Sequence, residues 1–281
     1  MPVIAHISDL HFGRDLPLLA DALIDELGRL APDLVAISGD LTQHGHRDEL
    51  AAARAFVDRL PAPALAVPGN HDMPKNPWLR FAHPWRRWRE AFRRPLEPVV
   101  RGDGYIAVGA NTARAWGPTL DWSRGRINDA QLDVLEREFA GGDALRVLVA
   151  HHPFLLDEAA RHRGLVGGAH DAMATLQRAR VDLVLGGHVH MGYADTVGGI
   201  VVAQSGTTFS DRLKGEAQGF NLIDASRSRM VVEHYRAEGH AFERDEIAVF
   251  ERRGQWLRAP AIDATSAARR TASGTSRPSA R

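Results

Sequence analysis

The chain of 281 residues contains no cysteine. This absence excludes disulfide bonds, thiolate metal ligands and a cysteine nucleophile. The chain also has no excess of charge of either sign, because its 35 lysine and arginine residues are balanced by 35 aspartate and glutamate residues. A chain with zero formal charge exerts no overall attraction on nucleic acid polymers or anionic membranes, so an anionic substrate must be held locally.

Long apolar runs are absent too. None approaches the roughly 20 residues that a membrane-spanning helix needs, so we expect no membrane association. Residues 1–6 lead directly into a predicted strand without the charged and apolar regions of a signal peptide, and we therefore expect a cytoplasmic location. From about residue 264 the chain is Ser, Thr, Ala, Arg and Gly without apolar periodicity. We predict one catalytic domain over 1–263 and a disordered tail over 264–281.

Apolar runs alternate with segments of helical spacing along the first 190 residues. Runs without polar alternation indicate strands buried on both faces, as in a parallel sheet covered by helices. Shorter strands with glycine turns follow and are typical of an antiparallel part that completes a second sheet. The predicted strands are 3–7, 33–38, 64–67, 99–100, 105–110, 145–150, 181–185, 199–204, 220–223, 230–235 and 247–250, and the predicted helices are 16–30, 48–60, 78–94 and 129–139.

Five short clusters of Asp, Asn and His stand where predicted strands end. Because ligands of open α/β sheets collect at the carboxyl ends of strands, the five clusters can meet in one crevice. Imidazole nitrogen and carboxylate or amide oxygen suit borderline divalent metals, and seven or eight such groups exceed the needs of one ion. The pattern therefore predicts two metals in one site. The clusters are Asp9-Leu10-His11, Gly39-Asp40, Gly69-Asn70-His71-Asp72, His151-His152-Pro153 and Gly187-His188-Val189-His190.

This order of motifs resembles the calcineurin-like metallophosphoesterase superfamily over about two thirds of the chain. The resemblance implies a four-layered α/β/β/α sandwich with two mixed sheets and a dinuclear metal site at one edge. It implies a first metal held by Asp9, His11 and His190, a second held by Asn70, His151 and His188, and a bridging Asp40. Such a pair of cations can clamp the entering and leaving oxygens of a phosphoryl group, with a hydroxide as nucleophile.

His71 and Asp72 are the predicted catalytic residues. His71 follows a ligand and would stabilise the transition state or protonate the leaving alkoxide, while Asp72 would orient its imidazole. Asn70, His71 and His152 are the predicted substrate contacts. Strand periodicity does not decide whether His151 or His152 is the ligand; the family pattern favours His151.

The remaining histidines match no motif position, and we expect no role in the site for them. Among them, His44 and His46 are the candidates for a contact with the site, because they follow Asp40 closely. A segment rich in Trp and Arg over residues 78–94 admits two interpretations: an anion-binding cap over the metals, or an amphipathic helix with inward tryptophans and solvated arginines, which we favour.

Within the superfamily, the chain resembles bacterial class III cyclic nucleotide and glycerophosphodiester phosphodiesterases most, in Gly-Asn-His-Asp, His-His-Pro, Gly-His-x-His and the segment Gly125-Arg126-Ile127. Phe154 departs from the second proline of those relatives. The resemblance implies hydrolysis of a small-molecule phosphodiester with two divalent ions, either Mn²⁺, Fe²⁺/Fe³⁺ or Zn²⁺. The sequence leaves the oligomeric state open, with a homodimer or higher homo-oligomer among the alternatives. The alternatives are a pyrophosphohydrolase, a phosphomonoesterase or a non-catalytic metal-binding scaffold.

Overall fold

A computed structural model describes residues 1–116 and 123–260. The described strands form two mixed sheets. The first has the order β13-β12-β11-β10-β1-β2-β3 and the second the order β4-β5-β6-β7-β9-β8. Their bounds are β1 Val3–Ile7, β2 Leu34–Ile37, β3 Ala64–Ala66, β4 Val99–Gly102, β5 Tyr105–Ala110, β6 Leu145–Ala150, β7 Leu183–Gly186, β8 Tyr193–Val197, β9 Ile200–Gln204, β10 Gly219–Ala225, β11 Arg229–Glu238, β12 Ala241–Arg253 and β13 Gln255–Arg258.

Helices cover the outer faces of both sheets. They are α1 Pro17–Leu30, α2 Arg47–Asp58, α3 Pro77–Ala82, α4 Arg86–Phe92, α5 Asp129–Glu138 and α6 Ala169–Arg178, with a 3₁₀ helix over Glu158–Arg163. None of the helices in the described part of the chain combines the length and apolar composition that crossing a membrane requires.

Three apolar clusters define four layers. Side chains alternate along each strand, so that on β2 Leu34 faces the other sheet while Val35 faces the helices. The middle cluster lies between the two sheets and contains Ile4 and Val147. The outer clusters lie under α1, α2 and α4 on one side and under α5 and α6 on the other. The predicted four-layered α/β/β/α sandwich is therefore confirmed.

The strand directions place the candidate site. β1, β2 and β3 run parallel in the first sheet, and β5, β6, β7 and β9 run parallel in the second. The expectation that all later strands would form an antiparallel part of the second sheet is wrong. β10 pairs antiparallel with the open edge of β1 and extends the first sheet, whereas β9 returns from its hairpin with β8 to lie parallel to β7.

The predicted helix over 78–94 is broken into α3 and α4. Pro84 has no backbone N–H and disfavours helical backbone at His83, which has φ −144° and ψ 58°. Trp88 and Phe92 of α4 pack in the apolar cluster under the first sheet, as expected for an amphipathic helix, but Trp78 is 82% exposed. Helix α6 and strands β8 and β13 are absent from the sequence-based prediction. The predicted tail lies outside the described residues.

Candidate metal centre

Each of the five polar clusters follows the carboxyl end of a parallel strand, namely β1, β2 and β3 in the first sheet and β6 and β7 in the second. The chain turns sharply at these ends. Backbone φ angles of 48° to 73° occur at Asp9, His11, Asp40, His188 and His190. A non-glycine residue in this region costs on the order of 1–3 kcal/mol, and such residues concentrate at functional sites. The sharp turns bring side chains from both sheets together.

Two of the motif glycines permit this close approach. A Cβ atom at Gly69 would overlap Oδ1 of Asp40, and one at Gly187 would overlap the Ser8 hydroxyl and lie 2.5 Å from Oδ2 of Asp9. No side chain fits at either position without displacing a candidate ligand.

The first cluster comprises Asp9, His11 and His190, which are at most 5% exposed. Nε2 of His190 lies 3.3 Å from Oδ1 of Asp9, and Nε2 of His11 lies 3.6 Å from the same oxygen. Ligand atoms bound about 2.1 Å from a common ion at angles of 90–109° lie roughly 3.0–3.4 Å from one another. The His190 separation lies within this range and the His11 separation exceeds it by 0.2 Å, so a small movement of the His11 ring would let the three side chains hold one metal ion.

Several atoms of the first cluster lack a hydrogen-bond partner. Within the described residues these are Oδ1 of Asp9 and both ring nitrogens of His11. A buried polar atom without a partner costs about 1–3 kcal/mol. A divalent cation would satisfy the lone pairs that face the cluster.

The second cluster comprises Asn70, His151 and His188. Oδ1 of Asn70 lies 3.1 Å from Nδ1 of His188 and 3.3 Å from Nε2 of His151. Oδ2 of Asp40 lies 3.3 Å from the same His151 nitrogen. Asp9, Asp40 and His151 also offer atoms within 4.8 Å of one another, so Asp40 stands between the two clusters.

Backbone carbonyls fix the orientation of two candidate ligands. Nδ1 of His151 donates to the Ser38 carbonyl at 2.7 Å, and Nδ1 of His190 donates to the Arg212 carbonyl at 2.8 Å. Because a carbonyl only accepts, Nδ1 carries a proton in both rings, and Nε2 is the nitrogen that would offer its lone pair to an ion once the imidazole is neutral. Thr207 Oγ1 lies 2.6 Å from the same His190 nitrogen.

His152 has both nitrogens in contact with protein. Nδ1 lies 2.8 Å from Thr112 Oγ1, and Nε2 lies 2.8 Å from the Ser123 carbonyl. His152, His151 and His188 do have ligand atoms within 4.8 Å of one another. Since both His152 nitrogens are occupied, the geometry favours His151 as the ligand and a supporting position for the buried His152.

Asp72 does not orient His71, and that prediction is corrected. Nδ1 of His71 donates instead to the Gln43 carbonyl at 2.9 Å. The Asp72 carboxylate accepts from the backbone N–H groups of Thr42 and Gly69, both at 2.8 Å, and from the Thr42 hydroxyl at 2.8 Å. The side chains of His71 and Asp72 therefore have different partners, and Asp72 links the loop after β2 to the loop after β3 through its hydrogen bonds.

His71 lies beside the first cluster. Its ring centroid is 5.1 Å from that of His11, and its backbone N–H donates to Oδ1 of Asp40 at 2.8 Å. A guanidinium nitrogen of Arg212 donates to Nε2 of His71 at 3.1 Å. Arg212 belongs to the loop after β9, which carries no recognised motif, so sequence reasoning missed it.

His44 and His46 form a separate group with Glu49 rather than joining the strand-end clusters. Nδ1 of His44 lies 3.0 Å from the Glu49 carboxylate. Arginines of the 78–94 segment also find partners elsewhere: Arg87 donates to the Gly45 carbonyl. These contacts fit the amphipathic-helix interpretation better than a cap over the metals.

Electrostatics in the centre favour bound positive charge. Burial opposes ionisation of Asp9 and Asp40, but the neighbouring imidazoles hold the pKa of both carboxyls below the usual range. Burial also disfavours protonated His151, yet the Asp40 charge raises the pKa of His151 to about 9. Burial lowers the pKa of His188 to about 3, with the charge of His151 acting in the same direction. Divalent cations would take the place of these protons.

Comparison with known proteins identifies the family. A family model described as calcineurin-like phosphoesterase matches residues 2–192. The chain belongs to the calcineurin-like phosphoesterase family. Among its relatives, a probable cyclic nucleotide phosphodiesterase from Synechococcus sp. is 29% identical over 203 residues, covering 68% of this chain and 74% of the relative.

Another phosphoesterase relative is the glycerophosphodiester phosphodiesterase GpdQ of Enterobacter lignolyticus. It is 36% identical over 172 residues, which cover 54% of this chain and 56% of GpdQ. A solved structure of a dimetal phosphatase from Danio rerio has a TM-score of 0.60 at 15% identity, covering 89% of this chain and 99% of that one. This structural likeness supports the shared fold.

Proposed function

We propose that this phosphoesterase carries a dinuclear metal centre and hydrolyses a small-molecule phosphodiester of the cyclic nucleotide or glycerophosphodiester type. The observation that carries the proposal is the convergence of side chains from five strand ends: neighbouring ligand atoms lie 3.1–3.6 Å apart within each cluster, and atoms of Asp9, Asp40 and His151 lie within 4.8 Å across the two clusters. The partnerless buried atoms of Asp9 and His11 add support. The printed names of the relatives support the choice of a diester.

In this proposal Asp9, His11 and His190 would hold one ion, and Asn70, His151 and His188 would hold the other. Asp40, which lies between the two groups, would contribute a carboxylate to both. The donors are nitrogen and oxygen atoms, which suit Mn²⁺, iron or Zn²⁺. When bound, two such ions supply Lewis acidity towards phosphoryl oxygen and a water activated for attack on phosphorus. The shared carboxylate offsets the repulsion between the cations.

The protein's own groups then orient the substrate. Asn70 and His71 are half-buried, and His71, once Nε2 has taken a proton from solvent, would give that proton to the leaving oxygen and return to the neutral imidazole. The Gln43 carbonyl fixes the His71 ring through Nδ1, and Nε2 accepts a hydrogen bond from Arg212. His152, which is 2% exposed, supports His151 and His188 from behind.

The test is a side-by-side rate comparison on protein reconstituted with Mn²⁺. The substrates are a phosphomonoester, a linear diester, 2′,3′- and 3′,5′-cyclic nucleotides and a pyrophosphate. We expect the highest kcat/KM for a diester. A strong preference for the monoester or the pyrophosphate would overturn the substrate class, and bound metal without turnover of any substrate under any divalent ion would indicate a scaffold.

A further inference from the structure

Arg212 brings a positive charge to the candidate centre from outside the family motifs. It lies in the loop between β9 and β10, beyond residues 2–192 that match the family model. Its guanidinium nitrogen Nη1 lies 3.1 Å from Nε2 of His71 and 3.3 Å from Oε1 of Gln43. Both partners are uncharged acceptors. Oε1 of Gln43 is an amide oxygen, and Nε2 of His71 is an acceptor because Nδ1 carries the ring proton and donates it to the Gln43 carbonyl in a hydrogen bond.

The charge of Arg212 is not neutralised by a carboxylate within residues 1–116 and 123–260. The adjacent Asp211 pairs with Arg14 instead, accepting three hydrogen bonds from it at 2.8, 2.9 and 3.1 Å. Arg212 is half-buried, whereas Arg14 and Asp211 are exposed. A partly desolvated guanidinium without a counter-ion is a ready binding group for an anion.

The backbone of Arg212 is tied to the centre itself. Its carbonyl accepts from Nδ1 of His190 at 2.8 Å and from the Thr207 hydroxyl at 3.1 Å. The loop is thus anchored on a candidate metal ligand, and the guanidinium reaches across to the residue proposed to face the leaving oxygen. Substitution of the side chain leaves the carbonyl in place, so the guanidinium can be tested separately from the anchor.

We propose that Arg212 binds a non-bridging oxygen of the substrate's phosphoryl group. In the structure the guanidinium donates to Nε2 of His71 and Oε1 of Gln43. An arriving phosphoryl oxygen, which is charged, is a stronger acceptor than either and takes the hydrogen bond. The same movement frees Nε2 of His71 to face the substrate. This assignment rests on the proposed function, since it presumes a phosphoryl group at the centre.

The shape of the arginine side chain distinguishes this role from a general electrostatic attraction between a positive charge and the phosphoryl group. The planar fork of arginine can keep one donor on Gln43 while another reaches phosphate, which a lysine ammonium reproduces poorly.

Inorganic phosphate is a usable probe of this contact, because the product of the reaction retains phosphoryl oxygens. Lys214 lies two residues away, is exposed and serves as the matched control for loss of one positive charge from the same loop.

The experiment uses the full chain reconstituted with Mn²⁺, with metal content measured for wild type, Arg212→Ala, Arg212→Lys and Lys214→Ala. Binding of inorganic phosphate is measured by titration calorimetry, and KM and kcat are measured with a linear diester. We expect phosphate affinity to fall at least tenfold in Arg212→Ala, less in Arg212→Lys and less than twofold in Lys214→Ala, at equal metal content. KM should rise in Arg212→Ala, and added guanidinium should partly restore affinity.

Unchanged phosphate affinity in metal-replete Arg212→Ala would overturn the assignment, as would an equal loss in Lys214→Ala or absence of phosphate binding by wild type. Metal loss in both Arg212 variants would assign Arg212 a purely structural role and overturn it too. Phosphate binding that depends on Arg212, without turnover of any diester by wild type, would instead refute the proposed function. Diester turnover with phosphate affinity independent of Arg212 would refute only this inference.

Discussion

The two halves of the candidate metal centre differ in how their polar atoms are satisfied. In the first cluster, Oδ1 of Asp9 and both nitrogens of His11 have no hydrogen-bond partner within the described residues. In the second cluster, Oδ1 of Asn70 lies within 3.3 Å of nitrogens of both His151 and His188.

This difference has an energetic consequence. Without a cation the first cluster is left with unsatisfied buried atoms, whereas the second can be held by its own hydrogen bonds. A cation entering the second cluster must replace those hydrogen bonds. We therefore expect the first cluster to bind its ion more tightly than the second.

The largest effect is expected from removing the residue between the two halves. Asp40→Ala removes the negative charge that offsets the repulsion of two cations, and both ions should bind much more weakly. Loss of several kcal/mol of charge stabilisation lowers kcat/KM by roughly 1000-fold or more. Metal analysis after gel filtration and diester kinetics measure the two effects. Retention of two ions per chain would contradict the bridging role.

A matched pair of variants tests the asymmetry itself. After dialysis against metal-free buffer, His188→Ala should keep one tightly bound ion, because the first cluster is intact. His11→Ala should keep less than one, because only the weaker cluster remains. The metal content of each variant is measured by mass spectrometry. More metal in His11→Ala than in His188→Ala would show that hydrogen bonds within the second cluster do not weaken its affinity for the ion.

A smaller effect, confined to turnover, is expected at His71. His71→Ala removes a group beside the first cluster that is not a proposed ligand, so metal content should stay at the wild-type level. General acid–base groups contribute typically 10²–10⁴-fold, and kcat should fall by about that factor. Full activity at equal metal content would remove His71 from the reaction.

The smallest effect is expected from a residue that supports a ligand. Thr207→Val deletes the hydroxyl 2.6 Å from Nδ1 of His190 and leaves the Arg212 carbonyl as partner. Loss of such a supporting contact typically weakens metal binding by 10–100-fold, so we expect about tenfold for the first cluster alone. Competition with a chelator measures it. Weakening of the second ion instead would contradict the assignment of His190.

Much of this arrangement follows from local sequence. Apolar runs ending in Asp, Asn or His identify five strand ends, and parallel strands bring those ends to one edge. The sharp turn at Gly39 and the close approach at Gly69 and Gly187 depend on motif glycines. The local pattern also predicts the start of α5 correctly, because Asn128 and Gln131 form a capping box immediately before and within its first turn.

The parts that sequence reasoning missed depend on contacts between distant segments. The contact of Arg212 with His71 joins residues 141 positions apart through a loop without a motif. Asp72 was assigned to the wrong partner because adjacency in sequence does not make side chains converge. Helix α6 escaped prediction because its buried face is formed by Ala172, Thr175 and Leu176, which give a weak apolar stripe.

The most direct test of the central claim is anomalous diffraction from crystals of the full chain grown with excess Mn²⁺. The account predicts two anomalous peaks, one among Asp9, His11 and His190 and one among Asn70, His151 and His188, with Asp40 touching both. At limiting Mn²⁺ the first peak should persist while the second fades. A single peak at saturating Mn²⁺, or two peaks elsewhere, would contradict the account.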